Sequence, residues 1–560
     1  MSRIRQFRGW LLGAGWVALW GLVWLCYQAW GHQLVQGMYG QTLPVVFLNQ
    51  LIKRQALHPL DYYTYKADRA VQSLVLLGLG SGVLAAGYGW ARRHWPGALW
   101  ARPWWGALLL STLGYWLIYL LQIPLFQLLP HWFWSLGLTP LPWWWLGLPL
   151  LPLSGWLVRQ VLGQPGRVGR NLLLLILGGY LLQQDLAWME GRGLAGLSDR
   201  LGGEGGHGRL VQAAVAQPSG WRVLTQYEEL LDSGELSPFP HATRPPGQLL
   251  FLMEVDRLAG VLDSATEDRA LRLARLAAWI FPLLSYLVLI PLFYLCRLYM
   301  DEMGAWIPVL LYLLVPSTAL ITLHLDQCLF PLVAWSCAGL YAWGLRRGWW
   351  GAALGAGLLF YLGLFLSFGL AALGGVLGVL HLQVAREAGR SLWRTAALAG
   401  AGFLGLALIF WGCFDYDLLQ RYSRAMDTHQ HFKGVEWGVG QILYCALLNL
   451  VEFGVWCGLP LVLLCAAQLR AVWSRRGGWN WGAEEAWALA LVLTLGGLAL
   501  FGRTAGETAR LWIFLLPLVL VAAAQCLARM VAPVRERAVV LVVVLQLFTV
   551  VVLKRCQDFF

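Results

Sequence analysis

Asn171-Leu-Leu-Leu-Leu-Ile-Leu-Gly-Gly-Tyr-Leu-Leu-Gln-Gln-Asp185 is the stretch on which the fold turns. Up to Leu182 it is almost wholly apolar, and it then closes on two amides and a carboxylate. From Asp185 to Arg272 no comparable apolar run follows. An apolar helix that ends in an acid and opens into a long polar segment reads as a membrane-spanning helix emptying into a large loop.

Working outward, similar apolar runs recur at 10–30, 71–92, 104–127, 142–158, 273–296, 304–323, 327–345, 350–366, 367–383, 396–414, 441–468, 484–501, 511–529 and 538–553. The chain is 59% hydrophobic and only 12% charged, with mean hydropathy +0.60. Soluble domains carry about a quarter charged residues. The 34 Trp include clusters at run ends, Trp143-Trp144-Trp145 and Trp349-Trp350. That is where an amphipathic ring sits at headgroup level. The expected fold is an all-α polytopic membrane protein of roughly 13–15 transmembrane helices, with a large exterior loop bearing juxtamembrane helices. The bilayer is its first partner.

The net charge of +12 comes from short basic loops: Arg92-Arg93, Arg159 to Arg170, Arg346-Arg347, Arg386 to Arg394, Arg470 to Arg476 and Arg529 to Arg537. Short loops rich in Lys and Arg mark the cytoplasmic side, so the charge is a topology signal and nucleic acid is not an expected partner. Arg3, Arg5 and Arg8 put the N-terminus inside as well. Residues Asp185 to Arg272 hold 13 of the 29 acids against 8 basic residues, and this loop is expected outside. Gly31 to Arg69, Asp415 to Gly440 and Gly502 to Arg510 fall on the same side. The expected location is the plasma (inner) membrane. The run from Trp10 to Trp30 is long for a signal sequence and lacks a small-x-small site, so it reads as a retained helix. The ten Cys are scattered, with no Cys-x-x-Cys, and read as small hydrophobes.

Three blocks are expected: 1–170, an N-terminal four-helix membrane block; 171–383, a core containing exterior loop 185–272; and 384–560, C-terminal helices with exterior loop 415–440. Within the first large loop, Leu210 to Ala216 and Gln226 to Leu231 read as short surface helices, and Gln248 to Leu262 as a helix along the interface.

The loop closes on His241-Ala-Thr-Arg-Pro-Pro-Gly247. The two prolines stiffen the chain, and Arg244 before them is a fixed cation suited to phosphate, with His241 three residues away. The plainer alternative is a rigid turn with Arg244 reaching to headgroups. Asp185, with Glu190 beyond it, stands where a carboxylate can act as general base at the membrane surface; the alternative is a helix-end marker. His324 and Asp326 lie between two apolar runs, where ionisable groups are costly. Arg421 and His429 mark the later exterior loop, and Glu507 with Arg510 the last one. Asn449 and Glu452 sit inside an apolar run, and Glu452 needs a partner or a wet cavity. Walker, G-x-S-x-G and H-E-x-x-H motifs are lacking from the sequence, and no Gly-rich stretch stands in the strand-to-helix setting of a Rossmann fingerprint, so none of the corresponding chemistries has motif support.

The acidic helix exit, the long exterior loop, the basic residue before Pro-Pro, the Arg-rich helix start (Arg269, Arg272, Arg275) and the later Asp at an exterior helix end resemble the GT-C fold glycosyltransferases that use lipid-phosphate sugars. That group includes protein O-mannosyltransferases and the aminoarabinose transferases of lipid A. The resemblance covers roughly Arg170 to Trp350, and Asp415 to Pro517 more loosely; the first four helices have no counterpart in it. It implies a GT-C-like bundle and inverting transfer of a sugar from a polyprenyl-phosphate donor to a glycan, lipid or protein acceptor. By the same resemblance Asp185 corresponds to the acceptor-activating acid, Arg244 to the donor-phosphate contact, and Asp326 to the later exterior acid. Leu186 stands where a second acid is expected, which leaves Glu190, Asp199, Glu228 or Glu229 as substitutes. A divalent cation is the one cofactor left open. A transporter or flippase of lipid-linked glycans, or a non-catalytic envelope-assembly protein, are the competing readings.

Overall fold

The computed structural model describes residues 2–39, 59–94, 103–202, 206–264, 266–321, 323–388, 392–433, 438–475, 482–501, 504 and 506–557. The middle of the stretch 31–69, residue Arg503, and the side chains of Arg92, Arg93, His431 and Lys433 lie outside them. All regular structure is helical, and no strand forms among the described residues. This is an all-α polytopic membrane protein. In lipid a chain must satisfy its own backbone groups, and a helix does so within one segment.

The chain divides into two compact units: Met1–Thr139 with Arg555–Asp558, and Pro140–Lys554 with Phe559–Phe560. The expected divisions at 170 and 383 fall inside the second. In the first unit, Ser2–Cys26 runs through a π-turn, Tyr27–Gly31, into His32–Tyr39. The π-turn sets Tyr27 and His32, five residues apart, on one face. Both reach Asp68 of the Pro59–His94 helix, at 2.7 and 2.8 Å.

In the second unit the spans follow the apolar runs. Among the described residues, seven helices are long and apolar enough to cross a bilayer, from Arg269–Arg297 to Val534–Cys556. A further apolar helix, Val168–Trp188, is followed after a bend of 86° by Gly193–Gly202. Trp350–Leu366, Leu459–Trp473 and Ile513–Ala528 are apolar but shorter, as is Trp105–Leu120 of the first unit.

Where spans break, side chains meet the exposed carbonyls. Pro282 lies within Arg269–Leu287 and cannot donate to the carbonyl of Ala278; Gln184 Nε2 donates there instead, at 3.2 Å. The run expected at 304–323 splits into Glu302–Tyr312 and Pro316–Leu320. The Leu313 carbonyl accepts from Tyr286 at 3.4 Å, and Leu314 from Gln546 at 3.4 Å. The Thr318 carbonyl accepts from Gln183 at 2.8 Å and also from Gln327.

Two readings of the C-terminal half are decided by turns. At Ser367 the chain reverses between Trp350–Leu366 and Leu373–Ala388, forming two helices and not one. Arg346 meets Glu387 at 3.0 Å at one end of this pair, and the Leu366 carbonyl meets Gln248 at 3.0 Å at the other. The run 441–468, expected as one helix, is instead two: Val439–Cys457 and Leu459–Trp473. Gly458 has φ +89°, open to glycine at little steric cost, and Pro460 cannot continue the hydrogen-bond ladder.

The basic loops gather at one end of this unit. Arg346 lies 4.3 Å over the Tyr299 ring, and Tyr299 meets Trp487 edge-on at 5.5 Å. Arg475 pairs with Glu484 and Glu485, and Arg529 reaches Glu484 at 2.5 Å.

Candidate functional site

The site lies at the opposite end, where three separate segments converge. The first is the Pro238–Gly247 segment. A short helix, Pro238–His241, turns into the Gly247–Leu262 helix, with Pro246 as its N-cap. The last residue of the motif must be small: a Cβ on Gly247 would collide with the carbonyl oxygen of Phe365. The close approach brings Gln248 to the Leu366 carbonyl. Gln248 in turn accepts from Arg244 Nη1 at 2.8 Å. Arg244 is thus held by a neutral amide anchored to the Ser367 turn.

The second segment is the start of Leu325–Cys328, which carries Asp326, and the third is the turn before Thr508–Leu511, which carries Glu507 and Arg510. Arg510 Nε lies 3.5 Å from Asp326 Oδ2, and Arg510 Nη2 donates to Glu507 at 2.7 Å. Asp326, Arg510 and Glu507 all act electrostatically on Arg244, and Arg510, Arg244 and Glu507 on His324. Burial presses against the charge on Arg244, while Asp326 and Glu507 support it. Five of the residues nominated from sequence therefore share one cluster: Arg244, His324, Asp326, Glu507 and Arg510.

Within that cluster the two cations differ. Arg510 is in ion-pair range of two carboxylates. Among the described residues none lies within ion-pair distance of Arg244, and its Nε and Nη2 form no hydrogen bond.

His241 is buried behind Arg244. Its Nδ1 faces the Ser237 carbonyl at 3.0 Å, so Nδ1 carries the proton, and Nε2 has no partner among the described residues. Burial, the largest influence, pulls its pKa below the usual histidine value. A neutral ring with a bare Nε2 does not donate to a phosphate, so this geometry does not support the donor contact expected of His241. Tyr227 donates to the His241 carbonyl at 3.1 Å. Burial raises its phenol well above the ordinary value, so it remains a donor.

Arg421, expected in a substrate pocket, works as a clamp. It is 1% exposed, donates to both oxygens of Glu228 at 2.9 Å, and donates to the Ala242 carbonyl at 2.6 Å. Arg424 adds a contact to Glu228 at 3.0 Å and one to Asp232 at 3.4 Å. The Leu418–Lys433 helix is thereby fastened to Tyr227–Asp232 and to the backbone two residues before Arg244. His429 lies two turns further along Leu418–Lys433.

The carboxylates nominated as bases have separate fates. Glu190 is shared between Lys554 and Arg200. Asp199 pairs with Arg192, and Glu228 with the two arginines. Asp185 occupies the last turn of Val168–Trp188, and its buried Oδ2 has no partner among the described residues. Among the described residues no hydrogen bond or ion pair joins it to Arg244 or Asp326. Its neighbourhood is nevertheless tied to theirs: Gln183, two residues before Asp185, and Gln327, next to Asp326, donate to the same Thr318 carbonyl. For a divalent cation the donor set fits poorly. No group of three His, Cys, Asp or Glu assembles among the described residues, and Asp326 and Glu507 both face Arg510.

Gln183, Gln248 and Gln327 are the positioning residues that sequence reading missed. Neutral amides carry no topology signal; the spacing Arg244 to Gln248, one helical turn, was the only cue. No known protein family matches the sequence, and no curated protein is recognisably similar to it.

Proposed function

We propose that the protein is an integral membrane glycosyltransferase of the GT-C type. In this reading it moves a sugar from a polyprenyl-phosphate donor to an acceptor on the exterior face of the plasma membrane. The observation that carries the reading is Arg244: a cation held by Gln248, unmatched among the described residues by a carboxylate at ion-pair range, beside the Arg510–Asp326–Glu507 group. A phosphodiester has one negative charge, which one unmatched guanidinium answers.

The acceptor hydroxyl or amine attacks the anomeric carbon as the bond from that carbon to the phosphate oxygen breaks. The electron pair leaves on the lipid phosphate, where Arg244 stabilises the developing charge. The acceptor proton passes to a carboxylate, and Asp185 is favoured because its Oδ2 is uncommitted. An apolar groove lined by Leu153, Leu157, Leu175, Leu182, Leu313 and Leu547 suits a lipid chain, and Leu182 lies one turn before Asp185 on the same helix. The gathering of basic loops at the opposite end of this unit favours a cytoplasmic location for that end.

The test uses the full chain in lipid nanodiscs loaded with sugar-linked polyprenyl phosphate. Acceptor-dependent release of free polyprenyl phosphate is expected, and Arg244→Gln should lower it about 100-fold, the scale set by loss of one charge-stabilising donor. Translocation of labelled lipid-linked sugar without release would overturn the reading in favour of a flippase.

A further inference from the structure

Two polar residues lie inside an apolar span and take no part in the cluster itself. Asn449 and Glu452 are one turn apart on Val439–Cys457, and both are fully buried. A carboxylate in such a place is costly unless it is paired and hydrogen-bonded, and their spacing puts both on one helix face.

The bonds from both residues land on one short stretch of another loop. Asn449 Nδ2 donates to the Thr504 carbonyl at 2.5 Å and to its hydroxyl at 3.2 Å. Asn449 Oδ1 accepts from the Gly506 amide at 3.1 Å, and the Asn449 carbonyl accepts from the Thr508 hydroxyl at 3.0 Å. Glu452 Oε1 accepts from the Ala509 amide at 3.1 Å.

That stretch is strained. Gly506 has φ +78° and Glu507 has φ +64°, so two consecutive residues are left-handed and the second has a side chain. Such a conformation persists only where the surroundings over-determine it. The bonds from Asn449 and Glu452 supply that constraint. The next residues open the Thr508–Leu511 turn, with the Ala509 amide capped by Glu452 and Arg510 immediately following.

We propose that Asn449 and Glu452 are positioning residues: they fix the Gly506–Ala509 backbone and thereby hold Arg510 and Glu507 against Asp326, beside Arg244. Neither touches a substrate. They act through the turn, and their effect on phosphate binding rests on the reading of the site given above.

The experiment uses the full chain in nanodiscs, with undecaprenyl phosphate as the probe titrated by native mass spectrometry. Amide exchange at Gly506 and Ala509 is followed in parallel. Glu452→Leu should weaken probe binding about tenfold and speed exchange at both amides at least tenfold, the scale of one well-placed hydrogen bond to a charged group. Glu452→Gln keeps an acceptor oxygen for Ala509 and should stay within about twofold of the natural protein. Thr508→Val removes one hydroxyl bond and serves if Glu452→Leu does not fold; about threefold weaker binding is expected. Natural affinity in folded Glu452→Leu, or an equal loss in Glu452→Gln, overturns the proposal. If the natural protein does not bind the probe, the phosphate reading fails, and exchange at Gly506 and Ala509 alone decides whether the two residues fix the turn.

Discussion

Asp326 and Arg510 meet across two loops with carboxylate Oδ2 and guanidinium Nε 3.5 Å apart, and Arg244 stands within their field. Asp326 therefore offsets positive charge that an anionic ligand would otherwise meet. Removing one unit charge at several ångströms, at an effective dielectric near 20, changes an interaction by an amount equivalent to about tenfold in affinity. Asp326→Asn should tighten binding of undecaprenyl phosphate about tenfold, and Arg510→Gln should weaken it by a similar factor. Opposite signs in the same titration are the diagnostic; a loss in both variants would mean that the pair serves only to hold the loops together.

Arg421 is a buried cation whose two terminal nitrogens are taken up by Glu228 and the Ala242 carbonyl. Breaking a buried pair from one side leaves an uncompensated charge, a loss of about 3–5 kcal/mol. Glu228→Gln should lower unfolding stability in detergent by about that amount. Asp232 is exposed and, among the described residues, pairs only with Arg424, also exposed, so Asp232→Asn should change stability by about 0.5 kcal/mol or less. Denaturation midpoints of the two variants separate the clamp from its surface extension.

Much of this cluster was legible in the sequence because charge near membrane depth is expensive and therefore conspicuous. Arg244, Asp326, Glu507 and Arg510 announce themselves individually on three loops; that they meet does not follow from any spacing. Arg421 was visible as an exterior cation, but its engagement with Glu228 depends on two loops docking, which no local pattern records. Glu190 was readable as an acid near a helix exit, while its partner Lys554 lies 364 residues away. The helical class held because lipid admits few backbone solutions. Single runs failed at 304–323, which breaks ahead of Pro316, and at 441–468, where apolar composition continues through Gly458 and only the left-handed glycine before Leu459-Pro460 marks the break.

Asp185 and Glu190 now make different predictions. Glu190 is bound by Lys554 and Arg200, whereas Asp185 has an uncommitted oxygen. Asp185→Asn should cut acceptor-dependent release of polyprenyl phosphate about 100-fold or more with unchanged undecaprenyl phosphate binding, since a general base contributes about 10²–10⁴. Glu190→Gln should lower thermal stability and leave the rate per folded molecule nearly unchanged. Retained turnover in Asp185→Asn would remove it as the base.

His241 makes stability depend on pH. Its folded pKa lies below the unfolded value near 6.5, chiefly because the ring is buried, with Arg244 adding to the effect. Below about pH 6.5 the unfolded chain binds the proton more readily than the folded one. The stability contributed by the neutral buried ring is therefore complete above that pH and is lost as pH falls through the folded pKa. Melting temperatures of the natural protein and His241→Gln should run parallel from pH 7 to 8. They should converge as the medium is acidified below about 6.5; parallel curves throughout would place the ring in solvent.

Gly247 offers the sharpest link between packing and the site. A methyl group there points at the Phe365 carbonyl oxygen, which is backbone and cannot rotate away. The Gly247–Leu262 helix would have to withdraw from the Ser367 turn, stretching the Gln248 bond to the Leu366 carbonyl and releasing the partner of Arg244. Overpacking of this kind typically costs about 1–3 kcal/mol. Gly247→Ala should lose stability on that scale and also weaken undecaprenyl phosphate binding. Gln248→Leu cuts the same connection without the collision, so it should weaken binding with a smaller stability loss. Equal binding in both variants and the natural protein would show that Arg244 keeps its position without the glutamine.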